Sequence, residues 1–235
     1  MTLDRLDREV LLAHALGIDR TRVLIDDPEP PPGFDRLVER RMAGEPVAYI
    51  TGHRGFRHLD LHVDPRVLIP RPETEHLVEA ALGLPEGASV LDVGTGSGAV
   101  ALALKDERPD LRVTATDVSE DALAVARANA DRLGLDVAFV RGDLLAGQRA
   151  DAVVSNPPYV DPGYDAPPEL GHEPALALYG NVFARLVEEA VASGAAFVAL
   201  EHGADQADEV AALFPTPVEL VRDLAGLPRV TVWRR

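Results

Sequence analysis

LDVGTGSGAVALAL, residues 91–104, reads as an apolar strand that runs through a glycine turn straight into a helix. Val90, Leu91 and Val93 supply the buried strand. Gly94, Gly96 and Gly98 let the backbone come close to a ligand and aim amide N–H groups at it from a helix N-terminus. Thr95 and Ser97 lie between them in the same loop. A nucleotide-like ligand suits such a turn. Which nucleotide is left open, because Gly94, Gly96 and Ala99 also satisfy the dinucleotide pattern GxGxx(G/A). Asp117 falls at the expected end of the next strand, where a carboxylate accepts two hydrogen bonds from the ribose diol of a nucleotide-like ligand. Asp143 and Leu144, after the third strand, fall where an adenine would rest.

Outward from this turn, strand and helix alternate. VTATD is followed by a helix from Ser119, then VAFV, DAVVSN, a helix through Phe183 to Val191, AAFVALEHG, a helix through Val210 to Leu213, PVELVRD and RVTVWRR. Apolar strands flanked by helices predict an α/β fold with a sheet covered on both faces. Only a turn with Gly226 and Pro228 separates the last two strands, so they are expected to pair antiparallel. Seven strands with that ending resemble the Rossmann-like class I methyltransferase sheet more than a dehydrogenase, where helices go on alternating.

Upstream, Leu3, Leu6, Val10, Leu11 and Ala15 recur at helical spacing and Gly17 follows as a cap. After the proline-rich DDPEPPPGF, Phe34, Leu37, Val38 and Met42 predict a second helix ending near Gly44. Leu59, Leu61 and Val63 alternate with polar residues, so Val47 to Ile69 reads as a β-hairpin connector closed by IPRPETE. The predicted division is a small helical domain at 1–46, a hairpin linker at 47–72 and a catalytic domain at 73–235.

With 235 residues, 46% of them hydrophobic, the chain can bury one sizeable core and a small satellite. No apolar run approaches the roughly 20 residues that cross a bilayer, and the first residues do not form a signal peptide, so a cytoplasmic protein without membrane contact is expected. The chain has no cysteine, which excludes disulfides and thiolate metal sites. A net charge of −16 repels a phosphate backbone, and no stable nucleic-acid binding is expected. His53, His58 and His62 match no metal-ligand spacing, and no metal is expected. Glu201 and His202 end a strand and read as structural.

Asn156-Pro157-Pro158-Tyr159 follows the fourth strand. Two prolines remove two backbone donors and restrict φ twice, giving a rigid turn rich in acceptors. Methylating an amide or aromatic amine needs such a turn: an NH₂ with a delocalised lone pair must be held by two acceptors in line with an activated methyl. The Asn156 side-chain oxygen and the Pro157 carbonyl are the candidate acceptors, and Tyr159 is the candidate packing surface for the planar group. Positioning then supplies the rate, because the proton is free to leave after transfer.

Through GEPVAYITGHRGF (44–56), VLIPRPETEHLVE (67–79), LDVGTGSGAVALAL, SNPPYV, HEPALALYG, LEHG and RDLAGLPRV, the chain resembles the release-factor glutamine methyltransferases, the PrmC/HemK family. The sister family acting on a ribosomal-protein glutamine shares NPPY but lacks RPETE. That resemblance implies S-adenosylmethionine held by Gly94 to Gly98, Asp117, Asp143, Leu144 and Asn156. It also implies a Gly-Gly-Gln glutamine held by Asn156 to Tyr159, with Phe56, Arg71 and Glu73 walling the site. The partner would be a peptide chain release factor, docked partly by the helical domain. The N-terminal domain is shorter than the family's, and Asp161 to Val182 lacks the usual Gly-Asp-Gly run. Methylation of a ribosomal-protein glutamine, methylation of an adenine or guanine exocyclic amine in nucleic acid, and a fold-only binding protein are the alternative functions.

Overall fold

Asp4 Oδ1 accepts from the Leu6 amide at 2.8 Å and starts the first helix, α1 (Arg5–Leu16), which Gly17 ends at φ 64°. In the same way Asp19 caps α2 (Arg20–Asp26), a helix absent from the sequence prediction. With α3 (Phe34–Met42) these helices bury Leu11, Leu12, Val23 and Phe34 in a core of their own. The computed structural model describes residues 3–164 and 166–235. The first two residues of the expected 1–46 domain, and Asp165 in the loop after NPPY, lie outside the described residues.

The hairpin expected from Val47 begins later. Residues Val47–Thr51 form a short helix, α4, because Pro46 accepts at its carbonyl from the Tyr49 and Ile50 amides and Gly52 closes it at φ 78°. Ile50 points into the helical core, whereas Tyr49 packs with Val63, Val67, Ile69 and Val125. The connector is thus half helix, and it ties the helical region to the rest. Strands β1 (His53–Phe56) and β2 (Leu59–His62) then pair antiparallel around a turn with Arg57 at φ 53°. The Arg57 guanidinium bonds Glu107 at 2.7 Å and Glu79 at 2.9 Å, which fixes the turn to the domain beneath.

The remaining elements follow in order: α5 (Glu75–Leu82), β3 (Ser89–Val93), α6 (Ala99–Glu107), β4 (Arg112–Asp117), α7 (Glu120–Leu133), β5 (Ala138–Arg141), β6 (Ala152–Ser155), α8 (Ala175–Leu178), α9 (Phe183–Ser193), β7 (Phe197–Glu201), α10 (Ala207–Ala212), β8 (Glu219–Arg222) and β9 (Pro228–Arg234). The seven strands β3 to β9 form one sheet in the order β5-β4-β3-β6-β7-β9-β8. Five run parallel; β9 pairs antiparallel with β8, as the missing crossover helix predicted, and antiparallel with β7 as well. One face packs on α5 and α6, with Ala130 of α7; the other packs on α9 and Val210 of α10. Among the described residues no helix is long and apolar enough to cross a membrane.

Two buried polar side chains set the glycine turn. Asp92, in β3, accepts from the Thr95 hydroxyl at 2.6 Å and from the Ala101 amide at 3.2 Å, so one carboxylate oxygen joins the turn to the first turns of α6. Asn129, fully buried on α7, donates to the Ser97 and His62 carbonyls at 3.0 Å each and accepts from the His62 amide at 2.8 Å. Gly98 caps α6 at φ 86°, and a Cβ there would stand 2.9 Å from Leu102 Cδ1 and 3.3 Å from Ala126 Cβ. Glycine is required there by the left-handed backbone, with close packing against Leu102 and Ala126 as a second constraint.

Asn129→Ala strips four hydrogen bonds from a buried site, so urea unfolding should show a loss of about 2–4 kcal/mol. A second expectation concerns pH. Burial pushes Asp92 up to about 7, against the pull of the Thr95 hydroxyl and the Ala101 amide, with nearby Asp117 adding to the rise. The ordinary value is 3.8, so between about pH 4 and 7 the folded chain keeps a proton that the unfolded chain has released. Stability should therefore fall as pH rises through that window, and Asp92→Asn should flatten the fall in melts at pH 4.5 and 7.5; an unchanged slope would remove Asp92 as its cause.

Candidate active site

The carboxyl ends of β3, β4 and β6 open onto one cleft, lined by Gly94, Gly96, Asp117, Leu144 and Asn156. Parallel pairing places Val93 opposite both Thr116 and Ser155, so the glycine turn, Asp117 and Asn156 emerge side by side. Three bonds hold that alignment: Thr116 accepts at its carbonyl from Gly94 (2.8 Å) and Thr95 (3.0 Å), and Ser155 Oγ donates to the Val93 carbonyl at 2.7 Å.

Gly94 and Gly96 line the cleft at φ 72° and 55°, and a Cβ on either would meet nothing within 4 Å. Their backbone faces open space that a ligand can fill. Asp117 accepts from the Gly96 amide and the Ser119 amide, both at 2.9 Å. Burial raises its pKa, while the amides of Ser119, Gly96 and Val118 hold it down. Ser119, not Asp117, caps α7. Leu144 sits in the cleft wall at φ 48°, and its carbonyl accepts from the Thr116 hydroxyl at 2.8 Å. Asp143 lies on the rim, paired with Arg185 at 2.6 Å and exposed. Val67, Leu68, Val182, Leu186 and Leu176 add apolar walls that sequence reasoning did not name.

Thr95 and Ser97 line a smaller recess behind the turn, together with Arg71 and Thr74. A third recess, beyond the NPPY turn, is lined by Arg71, Pro157, Tyr159 and Leu178. Asn156 borders all three spaces and Pro158 borders the main cleft. The Asn156 amide donates from Nδ2 to Thr74 Oγ1 at 3.1 Å, which leaves Oδ1 to accept from something else. Tyr159 donates from its hydroxyl to Glu201 Oε1 at 3.3 Å; burial, then the Glu201 charge, raises the phenol.

Arg71 reaches the site but its guanidinium is engaged by the buried Glu173, whose other oxygen accepts from the Ile69 amide at 3.0 Å. The pair locks the end of the hairpin segment to the loop after NPPY. Glu73 is absent from the walls of the three spaces and lies near Glu201 and Arg229. Phe56, expected as a wall of the site, is buried instead in the core with Leu61, Leu77 and Leu104, because its strand register turns it inward with Leu59. Among the described residues no group of three or more His, Asp or Glu side chains is placed to hold a metal ion.

Comparison with known proteins gives the family. A family model described as "Methyltransferase small domain" matches residues 73–172, and one described as "PrmC N-terminal domain" matches residues 2–52. The release factor glutamine methyltransferase of Neisseria gonorrhoeae is 42% identical over 98% of this chain and 93% of its own length. That of Burkholderia pseudomallei is 44% identical over 97% and 91%. Among solved structures, a methyltransferase from Pyrococcus furiosus covers 84% of this chain and 96% of its own with a TM-score of 0.57 at 22% identity, which supports the fold. At about 40% identity over nearly its whole length, on a seven-stranded methyltransferase sheet, the chain belongs to the release factor glutamine methyltransferase family.

Proposed function

We propose that this enzyme moves a methyl group from S-adenosylmethionine to the side-chain amide nitrogen of the glutamine in the Gly-Gly-Gln loop of peptide chain release factors, leaving S-adenosylhomocysteine. The observation that carries the reading is the position of Asn156 and Pro157 between the glycine cleft and the recess beyond NPPY. An amide entering from the recess meets two acceptors, Asn156 Oδ1 and the Pro157 carbonyl, at the wall it shares with the cleft.

The cleft fits the cofactor by its chemistry. Open-faced Gly94 and Gly96, the Asp117 carboxylate and the apolar Leu144 and Leu186 match a polar tail, a ribose diol and an adenine face. When bound, the cofactor supplies an electrophilic sulfonium methyl. The protein's part is positional. Asn156 and Pro157 hold the NH₂ group, Pro158 keeps the turn stiff, Tyr159 flanks the planar group, and the walls exclude water. No strong base is required, since the nitrogen loses its proton after the methyl arrives.

We further infer that residues 1–46 dock the substrate protein and that Arg71 shapes the wall of the recess through Glu173. Arg41 supports the first point: it pairs with Asp7 at 2.6 Å and with Glu169 in the loop after NPPY, joining the helices to the site. A net charge of −16 favours a protein over a nucleic-acid substrate. A chain without cysteine that acts on a translation factor fits the cytoplasm.

Incubation with labelled S-adenosylmethionine and a release factor should label the Gly-Gly-Gln glutamine, and Gln→Ala in the acceptor should abolish the label; label elsewhere defeats the assignment. Asn156→Ala should lower kcat by about 100-fold or more while S-adenosylhomocysteine binds within about 3-fold of wild type. Asp117→Ala should do the reverse, weakening S-adenosylhomocysteine by roughly 10-fold or more in calorimetry.

A further inference from the structure

Glu201, at the end of β7, is 1% exposed, and its Oε2 has no hydrogen-bond partner among the described residues. An unfilled carboxylate oxygen in a dry interior is costly unless it does something. Its place in the sheet says what. β7 runs parallel beside β6 with Leu200 opposite Ser155, so Glu201 stands level with Asn156 at the carboxyl edge. Its Oε1 accepts from the Tyr159 hydroxyl at 3.3 Å, and the Thr74 hydroxyl lies close enough to stabilise its charged form. Thr74 Oγ1 already accepts from Asn156 Nδ2, so its own hydrogen must point elsewhere. The neighbouring carboxylate, with Oε2 unfilled, is the acceptor at hand.

We propose that Glu201 is a positioning residue for methyl transfer: by accepting from Thr74 and Tyr159 it fixes which way round the Asn156 amide faces. The logic is one of donors and acceptors. An ionised carboxylate only accepts, so both hydroxyls must donate to it. Thr74 then offers Asn156 lone pairs alone, Asn156 must answer with its NH₂, and Oδ1 is left facing the substrate. A donor at position 201 breaks the chain. Thr74 is then free to aim its hydrogen at Asn156, and a flipped amide presents NH₂ where the substrate NH₂ needs an acceptor. The proposal rests on the assignment of Asn156 as the amide clamp.

Burial raises Glu201 to about 7, against the pull of the Thr74 and Tyr159 hydroxyls. Glu73, in the turn before α5, adds to the rise, and Arg229 of β9 opposes it. His202, next in the chain, is buried and held neutral: burial lowers its pKa, Nδ1 donates to the Gly203 carbonyl and Nε2 accepts from Thr231. The carboxylate that faces the clamp therefore changes charge near neutrality, and its protonated form carries the donor that disrupts the relay.

The isosteric E201Q tests this, alongside Thr74→Val. Each variant should lose roughly 10- to 100-fold in kcat, with KM for the release factor and affinity for S-adenosylhomocysteine within about 3-fold of wild type. Their effects should not add, since both cut one relay. Wild-type kcat should fall as pH drops below about 7, and E201Q should lack that limb. Wild-type kcat and an unchanged pH profile in E201Q would overturn the proposal, and so would a matched loss of cofactor-product affinity and thermal stability. Side-chain amide NMR decides the point without turnover: the Asn156 NH₂ resonances should titrate near pH 7 in wild type and stay flat in E201Q. An Asn156 signal that ignores pH in both proteins also overturns it. If wild type labels no release factor, the substrate assignment fails while the resonance still decides the relay.

Discussion

The parallel pairing of β3 with β6 is the constraint on which the site depends. Each strand ends in a turn that is unremarkable alone, one rich in glycine and one rich in proline. Val93 opposite Ser155, with the serine hydroxyl bonded back to the Val93 carbonyl, brings the two turns level. β4 does the same on the other flank, where Thr116 receives the Gly94 and Thr95 amides. A ligand over the glycine turn is thereby flanked by a carboxylate on one side and an acceptor-lined wall on the other. Slippage of either strand by one residue would reverse its side chains and dissolve both walls.

The sheet and the two turns were legible in the sequence because their signals are local. Apolar runs bounded by Gly94 or Pro157 need no knowledge of the rest of the chain to be read as strands that end in turns. The antiparallel ending followed from the absence of a helix between Leu220 and Val230, which is local as well. Ser119 and Asp117 stand two residues apart and divide the work there, the serine capping α7 and the carboxylate accepting from the glycine turn.

What was missed depended on partners far along the chain or on weak local signals. Asn129 sits mid-helix in ARANADR, and nothing nearby shows that it bridges the hairpin and the glycine turn. Arg71 and Glu173 meet across a hundred residues, so the arginine looked free to touch substrate when it is held by a buried acid. Phe56 was assigned by resemblance, whereas the hairpin register buries it. Val47 to Thr51 has β-branched residues at several positions and reads as extended, yet Pro46 before it and Gly52 after it make a helical turn. Asp92 was the one hidden residue with a usable cue, a charge inside an otherwise apolar strand.

β9 follows β8 in the chain yet lies between β8 and β7. The sheet therefore assembles out of the order in which it is synthesised: β8 has nothing to pair with until the strand after it has been laid against β7. Until then the edge of β7 opposite β6 stands open as an unsatisfied row of backbone donors and acceptors. A nascent chain paused at that stage would offer that edge to whatever strand came first, so the arrival of β9 is what closes the sheet against mispairing.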